Sequence, residues 1–315
     1  MYARVVRSGL VESHHAVSVV ACSPDGQQLL ASGDVDSPFY LRSTAKPFQA
    51  AVVAEYWDPP DRETLAVACA SHDALPVHVA LIERLLASVG LDESDLATPP
   101  AWPSNREEAD RQAAAGAVRP RSIWHNCSGK HTGMLAACVR QGWPVGHYTD
   151  PEHPLQRAIA EHMVEVFGPA TLPVGVDGCG APVFRGTTTT MARGFARLLT
   201  DAPYERVVDA MSSYPVLTSG PGNADAAIAI WLGGVAKRGA EGTLGIALPG
   251  RGAIAIKVWD GAERAVGPAA AAVLSHLAWI PRGSAENLES ALTRRVFGGG
   301  EPVGTVEAFL ETEQP

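Results

Sequence analysis

Residues 16–33, AVSVVACSPDGQQLLASG, hold two short runs of β-prone residues on either side of Pro24, Asp25 and Gly26. Glycine accepts a positive φ at no steric cost, so these three residues predict a tight turn and the flanking runs predict a hairpin. The pattern returns near the other end of the chain. In GTLGIALPGRGAIAIKVWDG, residues 242–261, two apolar β-prone runs flank Pro249, Gly250, Arg251 and Gly252. Between the hairpins the periodicity is mostly helical, over residues 47–57, 77–89, 107–116, 131–140, 154–167, 187–199 and 224–236. Strands at both ends with helices between them predict an α+β fold, in which an antiparallel sheet built from N- and C-terminal strands carries a helical middle segment as a layer or lobe. The expected organisation is a single domain over residues 1–315, with the sheet region near 1–40 and 240–280 and the helical lobe near 45–238. No internal repeat is visible, and the Gly- and Glu-rich stretch 296–315 reads as a loosely polar tail.

A chain of 315 residues buries a sizeable core without covalent staples. Hydrophobic residues make up 46% and charged residues 19%, an ordinary globular balance. The net charge of −9, with no Lys/Arg block, argues against a nucleic-acid surface or an anionic membrane and points to a small-molecule partner. The longest apolar stretches, 226–236 and 269–274, fall short of the roughly 20 residues that cross a bilayer. The opening MYARVVRSGLVESHH turns polar too early for a secretory signal, so a cytoplasmic location is expected. Five scattered cysteines, Cys22, Cys69, Cys127, Cys138 and Cys179, favour free thiols or a metal site over bridges in a reducing compartment.

Three segments carry candidate chemistry. In YLRSTAKPFQA, residues 40–50, Ser43 precedes Lys46 by three, which on a helix start puts a hydroxyl within reach of an amine. A lysine serves as general base once its surroundings lower its pKa, although Ser is also a common N-cap and Ser-x-x-Lys recurs by chance. Pro47 biases Lys46 away from the α region and favours a helix that begins at the proline. In ACASHD, residues 68–73, Ser71 ends a buried-looking run beside His72 and Asp73, and a plain loop serine is the competing reading. Lys257 interrupts the apolar strand AIAIKVWDG, where it either faces solvent by alternation or points into a site. In WHNCSGKHTGMLAAC, residues 124–138, a glycine-containing turn precedes a helix and groups Cys127, Lys130 and His131 on its first turn. Downstream, VDGCGAP, residues 176–182, sets Cys179 between two glycines. Two thiolates and nitrogen donors suit zinc, but the spacing is not CxxC, and buried inert cysteines fit as well.

Taken together, VRSGLVESHH, RSTAKPFQ, ASHD, NCSGKH, DGCGAP and the Lys257 strand resemble the thermolabile type II L-asparaginase family of the Rhizobium etli type. That family is distinct from the bacterial asparaginases that use threonine nucleophiles. The resemblance covers nearly the whole chain and implies a fold like that of serine β-lactamases, penicillin-binding proteins and serine-type glutaminases. It implies two catalytic pairs, Ser43 with Lys46 and Ser71 with Lys257, and a zinc ion, one per chain, on Cys127, Lys130 and Cys179. Asp177, and more loosely Arg42 and His131, match positions near the substrate's polar groups. The implied activity is hydrolysis of L-asparagine to L-aspartate and ammonia, with a homodimer as the expected assembly. Two rivals share parts of this pattern: a β-lactamase or penicillin-binding enzyme, disfavoured because no Lys-Thr-Gly stands on the closing strand, and a non-catalytic zinc- or amino-acid-binding protein.

Overall fold

The structure is a computed structural model that describes residues 1–310. The chain divides into two compact units, one formed by Met1–Thr44, Gly186–Asp201 and Gly222 onward, the other by Ala45–Arg185 and Ala202–Pro221.

The first unit holds the sheet. Its strands are β1 (Tyr2–Arg7), β2 (Leu10–Cys22), β3 (Gln28–Ser32), β4 (Val235–Gly239), β5 (Thr243–Leu248), β6 (Gly252–Val258), β7 (Arg294–Gly298) and β8 (Glu301–Phe309). They pair in the order β7-β8-β1-β2-β6-β5-β4, with β3 also on β2, and every pairing is antiparallel. Both expected hairpins form. Gly26, at φ 83°, donates its N–H to the Ser23 carbonyl at 2.9 Å in the first turn, and Gly250, at φ 71°, stands in the second. The first and last described strands therefore pair in one sheet.

The sheet's side chains alternate. On one face Val17, Val19, Leu244, Ile246, Ile254 and Ile256 pack with Ile228, Val273, Leu274 and Leu288, carried by the helices Ala224–Leu232, Val266–His276 and Ala285–Leu292. The helix Thr188–Arg197 packs on β2, β5 and β6. It comes so close that a Cβ on Gly245 would stand 2.2 Å from the Phe195 ring.

Three expectations change here. Residues 224–236 do not make one helix: Gly233 and Gly234, at φ 69° and 115°, stop it after Leu232, and β4 begins at Val235. The helix expected over 187–199 belongs with the sheet and not with the helical lobe. The stretch read as a polar tail is largely strand, in β7 and β8, because Val306 joins the core and β8 pairs along the whole of β1. Residues 311–315 of that stretch lie outside the described residues.

The second unit is helical, with Lys46–Trp57, Arg62–Ala68, Pro76–Ser88, Arg106–Ala114, Ser128–Gln141, Pro154–Phe167 and Glu205–Ser213 as its main helices. Their starts are written in local chemistry. Asp61 accepts from the Thr64 N–H at 2.7 Å and Asn105 from the Glu108 N–H at 3.0 Å, while Pro47, Pro76 and Pro154 occupy first turns where no N–H is needed. Ser128–Gln141 is buried along Ser128 to Cys138 and packs on Lys46–Trp57, Arg62–Ala68 and Pro76–Ser88. Gly129 permits that burial, since a Cβ there would lie 2.2 Å from the Val67 carbonyl oxygen. Among the described residues no helix is long and apolar enough to cross a membrane.

Candidate active site

Ser43 lies in a 3-10 turn, Arg42–Ala45, at the end of the sheet unit's first segment. The turn is closed by Thr44, whose N–H and hydroxyl both donate to the Leu41 carbonyl, at 3.2 and 2.6 Å. Arg42 sits at φ 52°, a left-handed conformation that costs a non-glycine residue roughly 1 kcal/mol and is retained only where the surroundings fix it. Arg42 and Ser43 are both half-buried.

Lys46 begins the next helix, three residues beyond Ser43, with Pro47 fixing its first turn. Its side chain is 1% exposed. Nζ donates to the Ser71 hydroxyl at 2.9 Å and to the Ala70 carbonyl. Ser71, 6% exposed, follows the helix Arg62–Ala68, and its N–H donates to the Thr218 carbonyl at 2.9 Å. The sequence reading assigned Lys46 to Ser43; within the helical unit the lysine amine meets Ser71 directly. His72, the next residue, is locked as a structural element. Its Nδ1 accepts from the Ala74 N–H at 3.1 Å, so Nε2 carries the proton and donates to the Ser128 hydroxyl at 2.9 Å. That bond ties the Ser71 segment to the start of Ser128–Gln141.

Cys127, Lys130, His131, Cys179 and Asp177 form the second group. Cys127, Cys179 and Ala181 pack as one buried cluster. Lys130 Nζ lies 3.4 Å from Cys179 Sγ, and an Asp177 carboxylate oxygen lies 4.0 Å from the same sulfur. The turn that delivers Cys179 is closed by the Asp177 N–H to Ala181 carbonyl bond and the Gly180 N–H to Asp177 carbonyl bond, both 2.9 Å, with Gly180 at φ 85°. His131 Nδ1 meets the Tyr148 hydroxyl at 2.7 Å, and its buried Nε2 faces Cys179 without a well-formed hydrogen bond. Tyr148 also accepts from the Ala97 N–H at 3.0 Å.

Charge in this cluster is strongly redistributed. A hydrogen bond from Cys127, reinforced by Lys130 and His131, holds Cys179 far below the ordinary thiol range as a thiolate. The same bond, together with burial, pushes Cys127 up. Burial opposes the Lys130 ammonium, but Cys179, Cys127 and Asp177 outweigh it and raise its pKa. Burial lowers His131 and pushes His125 down to about 4. The positive charge of Lys46 acts on both Cys127 and His125, which puts the Lys46–Ser71 pair in the electrostatic neighbourhood of the sulfur cluster.

Among the described residues no three His, Cys, Asp or Glu side chains gather as a metal group. The donor set here is of another composition: two sulfurs, a lysine amine and an imidazole nitrogen. Sulfur and nitrogen donors are those zinc prefers, and a bound cation would displace thiol protons from buried cysteines packed together. The residues therefore fit the ion that the resemblance implies.

Lys257, on β6, is in the sheet unit. The sequence left its direction open; the strand turns it inward, 5% exposed, with Nζ 5.8 Å from the Phe39 ring and 5.6 Å from the Trp259 ring. It donates to the carbonyls of Glu241, at 2.5 Å, and Val258, at 2.7 Å. Burial lowers its pKa against the opposing charges of Glu241 and Asp260. Unread in the sequence was the acid and base cluster of Asp225, Lys237 and Arg238, in which Lys237 is 0% and Asp225 1% exposed. The one signal was the pair of basic residues inside VAKRG, a strand flanked by the apolar run before it.

A buried serine–lysine contact is an arrangement that acyl transfer can use, and a family profile covers the chain. The profile, described as L-asparaginase II, matches residues 3–308, so this chain belongs to the L-asparaginase II family. No curated protein matches the chain. Solved structures of a protein called Mglu are similar at low identity. Its tris and glutamate form shares 16% identity over 80% of this chain and 57% of that one, with a TM-score of 0.34. The native form in 4.3M NaCl shares 17% over 83% and 60%, with a TM-score of 0.36. This chain thus spans about three fifths of the length of those proteins.

Proposed function

We propose that the protein is an asparaginase of the Rhizobium etli type, hydrolysing the side-chain amide of L-asparagine to L-aspartate and ammonia through a serine acyl-enzyme. The observation that carries the reading is the buried Lys46 Nζ to Ser71 Oγ contact of 2.9 Å, with Lys46 three residues along the chain from Ser43. Ser43 Oγ attacks the amide carbon while its proton passes to the amine form of Lys46. The tetrahedral oxyanion is held by backbone N–H groups. The C–N bond then breaks, and the proton returns through Lys46 and Ser71 to the leaving nitrogen, which departs as ammonia. Water repeats the sequence on the ester, releasing aspartate and restoring the Ser43 hydroxyl. Lys257 supplies a second amine for the proton steps, Asp177 a fixed negative charge for the substrate's α-ammonium, and Arg42 and His131 further polar contacts. Cys127, Lys130 and Cys179 would hold one zinc ion per chain, which when bound neutralises the sulfur charge and orders the turn next to Asp177. Cytoplasmic location and homodimeric assembly complete the proposal.

Ammonia release from asparagine, glutamine and related amides, with and without chelator, tests it. Asparagine should be turned over fastest, and Ser43→Ala should lower kcat by about a millionfold or to background. A Ser43→Ala protein with near-native turnover removes Ser43 as nucleophile; acyl trapping on Ser71 would exchange the two serines' roles. Purified protein without zinc, in which Cys127→Ser changes nothing, would end the metal assignment.

A further inference from the structure

The buried charges of Asp225 and Lys237 have no part in the chemistry above, and both lie in the sheet unit with Ser43. They converge on the backbone of one residue. Among the described residues strand β4 is an edge strand that pairs with β5, so its outward N–H and C=O groups meet no described strand. At Arg238 both are taken by side chains. The N–H donates to Asp225 Oδ2 at 3.0 Å, and the carbonyl accepts from Lys237 Nζ at 3.2 Å. The two side chains are paired with each other at 3.6 Å. Asp225 lies in the first turn of Ala224–Leu232, where the helix dipole favours its charge. The Arg238 guanidinium extends the group outward, 3.7 Å from Asp225 and 3.5 Å from Glu263.

The next residue is Gly239, and it abuts the Ser43 turn. A Cβ on Gly239 would lie 3.1 Å from both the Leu41 carbonyl oxygen and the Ser43 nitrogen, and 2.5 Å from the Thr243 hydroxyl. The strand's backbone is therefore a wall against which the amide of Ser43 rests, and the residue preceding that wall is clamped on both sides. We propose that Asp225 and Lys237 are positioning residues for Ser43, fixing Arg238 and Gly239 of the edge strand so that the serine keeps its attacking geometry. The inference rests on the reading of Ser43 as nucleophile. A buried ion pair is a weak source of stability compared with apolar residues of similar volume, so its retention here is explained by the geometry it imposes.

Steady-state kinetics and thermal melting of four variants test this. Asp225→Leu/Lys237→Met removes both charges together and should melt near the parent, yet lose about 100-fold in kcat with KM changed less than about threefold, as a displacement on the order of 1 Å predicts. Asp225→Asn keeps an acceptor for the Arg238 N–H and should retain more of kcat than the double variant. Gly239→Ala reaches the same contact without touching the ion pair and should lower kcat in a folded protein, which covers the case of a double variant that fails to fold. Native kcat in a folded double variant, or in folded Gly239→Ala, overturns the positioning role. Ser43→Ala separates the two claims: turnover that survives it overturns the nucleophile assignment and this inference with it, whereas its loss alongside native kcat in the clamp and glycine variants overturns this inference alone.

Discussion

Lys46 shows how much rests on one side chain. It is buried, and its nitrogen serves a serine hydroxyl and a backbone carbonyl at once. Lys46→Met keeps the length and removes the donor, leaving the Ala70 carbonyl buried without it. Stability should fall by about 1–3 kcal/mol, the cost of an unsatisfied buried group. Ammonia release should drop by at least about 100-fold if the lysine moves protons in the reaction. Turnover within threefold of the parent, in a protein whose urea midpoint has shifted as expected, would reduce Lys46 to a structural anchor. Ser43 and Lys46 were legible as a pair from their spacing, but spacing could not say which hydroxyl the amine touches. Ser71 lies 25 residues further on, just past the helix Arg62–Ala68, and only packing decides that contact.

At the scale of elements, the helix Pro76–Ser88 begins with a histidine used as a neutral acceptor. His78 Nδ1 accepts from the Leu75 N–H at 3.1 Å and Nε2 donates to the Val216 carbonyl at 3.3 Å, so the ring has one proton and no room for a second. Burial lowers its pKa. The unfolded chain therefore binds a proton that the folded one refuses, and stability must rise with pH across that interval. It should be fully present above about 6.5, the ordinary histidine value, and be lost as pH falls from there through the depressed native value. Urea unfolding at a series of pH values should show this slope, and His78→Asn, which preserves an acceptor without the titration, should flatten it. An unchanged slope in the variant would place the acid sensitivity elsewhere. Helices of this unit were well marked in sequence by prolines and caps. The failure at 224–236 has a local cause: the apolar run continues through Gly233 and Gly234, and composition does not show that both take positive φ and turn the chain into β4.

At the scale of the molecule, β1 is held from both sides, by β2 and by β8, so the sheet needs the chain's last described strand as well as its first. Gly304 lets the pair close, since a Cβ there would fall 1.8 Å from the Val6 carbonyl oxygen, and Arg4 bridges to Glu307 at 2.8 Å. Truncation before Arg294 should expose the β1 edge and uncover Ala3 and Val5, giving a protein that scatters light on concentration and melts several degrees lower. A monodisperse truncated protein with the parental melt would show that β7 and β8 are dispensable. By itself the sequence determined the two hairpins, most of the helical lobe's helices and the family, because turn residues, caps and periodicity act over a few residues and motifs survive as letters. Tertiary structure alone decided that Lys46 reaches Ser71, that Lys257 turns inward, that Cys127 and Cys179 pack together, and that Asp225 and Lys237 grip the strand beside Ser43. Each of these joins residues far apart in the chain, where burial and charge are set by neighbours that no local pattern specifies.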